Sequence, residues 1–226
     1  MNALFKWYDS ITERLRAGGD WFAPLGIRLL LAHEFWKAGA LKFRDPGGNV
    51  SGFHARQDFP FPFGSFPDAL NFFLVTWFEL AAAVALILGL FTRFFAFTLI
   101  VITAVAIASV HWPSSWDSLG QLWDGYSVSR VMDDGEFRGN FRIPALFLAM
   151  LMPLLFMGGG KLSLDHLLVK LTGRGDAIDD RNGDYLALAL VLLVPGLVFI
   201  YLIPLWGVIL LLGAIGAAVY HKMSAA

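Results

Sequence analysis

Cysteine is absent from the chain, so disulfide frameworks, thiolate metal sites and thiol–disulfide relays are excluded at once. If the protein moves electrons, a bound cofactor must carry them. Charge is scarce as well: 15% of residues are Asp, Glu, Lys or Arg, against about 25% in soluble domains. A net charge of −1 offers no clustered basic face, which argues against nucleic acid as a partner. Met1–Asp20 is mixed in charge and lacks the short apolar core of a signal peptide. What fills the chain instead is apolar, 57% of all residues, with 21 Phe and eight Trp, many near the ends of apolar runs. Amphipathic rings settle at those ends when a run crosses lipid. The reading is an all-α integral membrane protein.

A helix needs about 20 residues to cross the hydrocarbon core. Trp21–Leu41, Leu70–Leu90, Phe94–Trp112 and Ile143–Met157 supply four expected spans, the last stopping at Gly158-Gly159-Gly160. Upstream, Phe5–Leu15 reads as an amphipathic helix on the membrane surface. After a polar connector, Tyr185–Tyr220 is apolar and too long for one straight crossing, so Pro204 is expected to divide it into a hairpin of two short spans. The domains expected are an interfacial helix over 1–20, a four-helix transmembrane core over 21–170 and a C-terminal transmembrane hairpin over 184–226. Loop charges lean one way. Lys6, Arg14, Arg16, Arg93, Lys161, Lys170, Arg174, Arg181 and Lys222 fall on the N-terminal side, against Lys42, Arg44, Arg56, Arg130, Arg138 and Arg142 opposite. That bias puts the N-terminus on the cytoplasmic side and the two long loops, Lys42–Ala69 and Pro113–Arg142, outside.

Ionisable side chains at bilayer depth usually face a bundle interior and mark a site. The first expected span carries Arg28, His33, Glu34 and Lys37, with Lys42 just beyond it; the second carries Glu79 and the third ends at His111. Counting 1.5 Å per residue puts Arg28 roughly 10 Å from the inner surface, and Glu34 and Glu79 roughly 10 and 13 Å from the outer one. Around the helix, His33, Glu34 and Lys37 share one sector, and Arg28 and Lys42 lie on another. Two pairings are weighed, Glu34 with Lys37 on one helix and Arg28 with Glu79 across helices. The competing reading is that the charges only neutralise each other. Glu79, His111 and Glu34 are the candidates for proton transfer, and Arg28, Lys37, Lys42 and His33 for holding a cofactor. His111 is equally a residue type that caps a helix or lines an interface. Two histidines on different spans, His33 and His111, could ligate a b-type haem, but no motif supports it, and no zinc or copper spacing is present.

Together these motifs look familiar. Arg28, Phe35-Trp36-Lys37-Ala38-Gly39 and Lys42 resemble the opening signature of the DoxX family of four-helix membrane proteins. Glu79, Leu88-Gly89-Leu90 and Thr92-Arg93 resemble its second helix and following turn; Val110-His111-Trp112 with Trp116 is similar to the end of its third helix. Gly158-Gly159-Gly160-Lys161-Leu162-Ser163-Leu164-Asp165 resembles its closing motif, and with the third-helix end it is most similar to the HvfX-like branch, tied to maturation of copper-binding modified peptides. The apolar segment after Gly183 departs from that branch. The resemblance implies a membrane component of redox or metal-stress systems, with Arg28, Lys37, Lys42, Glu79 and His111 as its polar set. The branch further implies partners, an iron-dependent peptide-modifying enzyme and its partner protein.

Three functions compete. In the first, a quinone head group enters from the lipid and exchanges protons with Glu79, Glu34 or His111, a carboxylate and imidazole set suited to that work. In the second, the same charges bind cargo for a transporter or export helper of a small molecule, metal or peptide. In the third, the chain is a membrane anchor or scaffold, and an oligomer is compatible with all three.

Overall fold

The computed structural model describes residues 3–126, 132–133, 135–173 and 184–224. Arg130, Arg174 and Arg181 of the loop-charge balance, and 225–226 of the expected hairpin domain, lie outside the described residues. The described chain is nearly all helical. In order come α1 (Ala3–Arg44), α2 (Asn49–His54), a 3-10 turn (Phe63–Ser65), α3 (Asp68–Leu88) and α4 (Thr92–Ala106), which runs into a π-helical turn (Ile107–His111). Then follow α5 (Leu119–Asp124), strands β1 (Met132–Asp133) and β2 (Glu136–Phe137), α6 (Arg142–Met157), α7 (Leu164–Leu171), α8 (Tyr185–Leu202) and α9 (Pro204–Ser224).

Among the described residues, four helical segments are long and apolar enough to cross a membrane: Asp68–Leu88, Thr92–His111, Tyr185–Leu202 and Pro204–Ser224. The expected second and third spans and both arms of the hairpin therefore match such helices. The expected fourth span is the apolar helix α6, 16 residues long. The expected first span is part of a longer helix, since α1 runs unbroken for 42 residues from Ala3, through Pro24. Pro24 falls midway along it, where proline removes one N–H from the ladder and the flanking bonds carry the helix past it.

The chain gathers into two compact units. One takes residues 1–53, 72–99 and 149–175. Here α1 buries Pro24, Arg28, Leu31, Ala32, Phe35 and Gly39, a stripe recurring every three to four residues. Ala82, Ala83 and Leu86 of α3, Ala96 and Leu99 of α4, and Leu151 and Leu154 of α6 are buried in the same unit. Alanine at these positions lets helices approach closely, which matters where lipid removes the hydrophobic drive for helix association.

The turn between α3 and α4 is the tightest piece of this unit. Gly89 has φ +65°, and a Cβ there would lie 2.1 Å from an Arg28 guanidinium nitrogen and 2.5 Å from the Ser163 Cβ. Only glycine fits on both counts. The Asp165 carboxylate accepts from the backbone N–H of Phe91 at 2.7 Å and of Thr92 at 2.8 Å, satisfying the start of α4. The Asp165 N–H returns a bond to the Gly89 carbonyl at 2.9 Å.

The other unit takes residues 54–71, 100–148 and 176–226. Its α4 segment closes in the π-helical turn, where the Trp112 N–H reaches five residues back to the Ile107 carbonyl at 2.8 Å. The short antiparallel ladder pairs Met132 with Phe137 and Asp133 with Glu136. The apolar run after residue 184 divides at Ile203, as Pro204 implied, and α8 folds back on α9. Tyr185 meets Tyr220 with ring centroids 4.5 Å apart, and Phe199 meets Trp206 at 6.1 Å. Gly207 sits where a Cβ would be 2.4 Å from the Ile200 backbone nitrogen, so the two backbones touch there.

Candidate functional site

The charged residues expected to form one site fall into separate groups. The centre of the first is an ion pair. Lys42 near the end of α1 donates from Nζ to both carboxylate oxygens of Glu79 on α3, at 2.9 and 2.7 Å. Glu79 lies mid-helix in a segment able to span a membrane and is buried, with its side chain 6% exposed against 19% for Lys42. Gly39, one turn before Lys42, brings α1 up to Leu80 and Glu79, and the Thr76 hydroxyl a turn away on α3 donates to the Phe72 carbonyl at 2.6 Å. Lys42 carries three N–H donors, and two are used by Glu79. One donor and the spare lone pairs of the carboxylate remain for a small polar group.

This replaces both expected pairings. Glu79 is matched by Lys42, not Arg28, and Glu34 and Lys37 form no ion pair with each other. The reason is register. Gly39 is level with Leu80, so Arg28, eleven residues earlier on α1, sits roughly 16 Å further along and meets the far end of α3. The depth match expected between Glu34 and Glu79 belongs to Lys42 and Glu79.

Arg28 makes a second group. It is fully buried, and its guanidinium donates to the carbonyls of Leu86 at 3.1 Å, Ile87 at 3.5 Å and Leu162 at 2.5 Å. Those carbonyls end α3 and precede α7, so Arg28 joins α1 to the same turn that Asp165 clamps. Ser163 completes it by accepting from the His166 N–H at 3.2 Å and donating to the Gly160 carbonyl at 2.6 Å. Arg28 and Lys42 thus share the buried stripe of α1 but stand at opposite ends of it.

His33 and Lys37 are exposed and Glu34 is half-buried, all on the other side of α1. His111, in the second unit, ends the π-helical turn. Its Nδ1 pairs with the Asn140 side-chain oxygen at 2.8 Å, and its carbonyl accepts from the Asn140 N–H at 3.0 Å. With an oxygen as its partner, Nδ1 carries the proton and Nε2 presents the lone pair. Asn140 and Asp165 were not singled out as site residues. Asp165 had a signal, an acid in the first turn after a glycine run; Asn140 had none, because its partner lies 29 positions away. Among the described residues no group of three or more His, Asp or Glu is placed to hold a metal ion.

Comparison with known proteins runs parallel to this geometry. The DoxX family profile matches residues 23–112, the stretch holding Arg28, Lys42, Glu79 and His111. An uncharacterised protein of Haemophilus influenzae is 33% identical over 159 residues, covering 70% of this chain and 91% of that relative. No solved structure matches. The family match stops at Trp112, and the relative, nearly all of whose length aligns, extends the kinship well past it. With membrane-length helices on both sides of that boundary, the chain belongs to the DoxX family and is a multi-pass membrane protein.

Proposed function

We propose that the protein is a quinone-linked redox component in the bacterial inner membrane, its N-terminus cytoplasmic, serving a metal-stress or modified-peptide maturation system. The observation that carries this reading is the Lys42–Glu79 pair, in which a base near the end of α1 is bonded to an acid midway along the membrane-length helix α3. A bound quinone would supply the electron-carrying chemistry that a cysteine-free chain lacks. The residues present fit its head group. The third Lys42 N–H would donate to a ring oxygen, and one Glu79 oxygen would give up its bond to Nζ to take a proton while the other kept its own. Gly39 holds α1 close against Leu80 and Glu79, which keeps the Lys42 ammonium within reach of the carboxylate. His111, with Nε2 left as acceptor by Asn140, is the further proton carrier in this proposal. Arg28 is a positioning residue, because all its bonds tie helices together. The closing motif supports, as partners, an iron-dependent peptide-modifying enzyme and its partner protein.

The test is protein purified into lipid nanodiscs with its native lipids retained. Extractable quinone at about one per chain and a quinone-dependent spectral change are expected. Glu79→Gln keeps the shape and removes the exchangeable charge, so it should lose that change; an unaltered response in Glu79→Gln overturns the reading.

A further inference from the structure

The side of α1 that faces away from α3 has no explanation in the site above. Taking 100° per residue, Leu30, His33, Glu34, Lys37 and Leu41 form a stripe centred roughly 150° from the buried one. Leu30, His33, Lys37 and Leu41 are exposed and Glu34 is half-exposed. No side chain among the described residues pairs with His33, Glu34 or Lys37. Their depth follows from the two contacts that bracket them. Arg28 reaches Leu86 and Ile87, and Gly39 touches Leu80, so positions 33–37 run beside Ala81–Ala85 of α3. That is the interior of a membrane-length apolar helix. Bare charges at that depth cost several kcal/mol, so something must cover them.

We propose that a second copy of this chain covers the stripe, α1 against α1, related by a twofold axis along the membrane normal. The charges select that occupant. One acid, Glu34, lies among two bases, His33 and Lys37, so a partner of either sign alone would leave part of the stripe unmatched. A twofold contact matches it with itself: Lys37 of each copy reaches Glu34 of the other, one turn away. Leu30 and Leu41 close the seam above and below. The large apolar surface of α1 at Leu29 and Trp36 lies outside this seam and stays toward lipid.

Absence of cysteine makes the test direct, because every introduced thiol is the only one. Leu30→Cys, Leu41→Cys, Leu29→Cys and Trp36→Cys are made singly and oxidised in native membranes. All four sites are exposed, so differences report the facing surface. Positions 30 and 41 should form a dimer-sized band at least about tenfold faster than 29 and 36. In the Leu30→Cys background, Glu34→Lys or Lys37→Glu alone should lower the rate by about tenfold, and the two together should restore it. Native mass measurement of the unmodified protein in nanodiscs should give two chains. Equal rates on all faces, a double exchange as slow as either single one, a cross-linked band of another mass, or a one-chain particle each overturns the proposal.

Discussion

The α1–α3 pair and the α8–α9 hairpin solve the same problem in opposite ways. Both join two helices beside lipid, where apolar contact with a neighbour is worth little more than apolar contact with an acyl chain. The hairpin does it by closeness: backbones touch at Gly207, aromatic rings meet at both ends, and α8 contains no ionisable group but Tyr185 and Tyr201. The α1–α3 pair does it by chemistry, with Lys42–Glu79 at one end of the contact and Arg28 at the other. A steric junction is indifferent to what passes near it. A charged one can bind, exchange protons and be read by another molecule. On the function proposed above, the charged junction is the working part and the hairpin a structural one.

The largest effect separating the two should come from breaking the buried pair. Lys42→Met or Glu79→Leu alone strands a charge and should destabilise by about 3–5 kcal/mol, whereas both together should be near neutral. Denaturant titration in mixed micelles reads this; equal losses in single and double variants would show that the pair is not coupled. Asp165→Ala should come next, about 1–3 kcal/mol, because it orphans two N–H groups. Hydrogen exchange should quicken at Phe91 and Thr92 and stay slow in α8. Gly207→Leu is the reciprocal case. Overpacking of about 1–3 kcal/mol should open the hairpin, seen as loss of proximity between labels at Tyr185 and Tyr220, with Lys42–Glu79 function retained. Asn140→Ala should have a smaller effect, about 1 kcal/mol, but shift the nitrogen resonances of His111 as the preference for Nδ1–H is lost. His221→Ala should be the smallest, within about 0.5 kcal/mol, since its 3.6 Å contact with Asp184 is partly exposed.

How much of this was legible depends on whether a feature is local. Apolar runs are local, and Leu70–Leu90 against the observed Asp68–Leu88, or Phe94–Trp112 against Thr92–His111, differ by a residue or two at the ends. Pro204 marked the division of the last run because proline cannot continue the ladder behind it. The sector around α1 was legible as well, since 100° per residue already separated Arg28 and Lys42 from His33, Glu34 and Lys37. Partners were not. Depth was counted from assumed span ends, and α1 has no end at Trp21; an error of a few residues there moves a side chain by a full turn. Lys42 was placed at the membrane surface, although its long stem lets the ammonium reach a carboxylate deeper in. The clamp at Asp165 and the link from Asn140 to His111 were beyond reach for a simpler reason. They join segments 73 and 29 positions apart, and no periodicity records that.

The clamp on the α3–α4 turn also has a meaning in time. The bond from Arg28 to the Leu162 carbonyl spans 134 positions, so at 5–20 residues per second its acceptor is synthesised on the order of ten seconds after Arg28. During that interval the guanidinium has no finished socket. The socket of the first helix is thus completed only when the closing motif has been made.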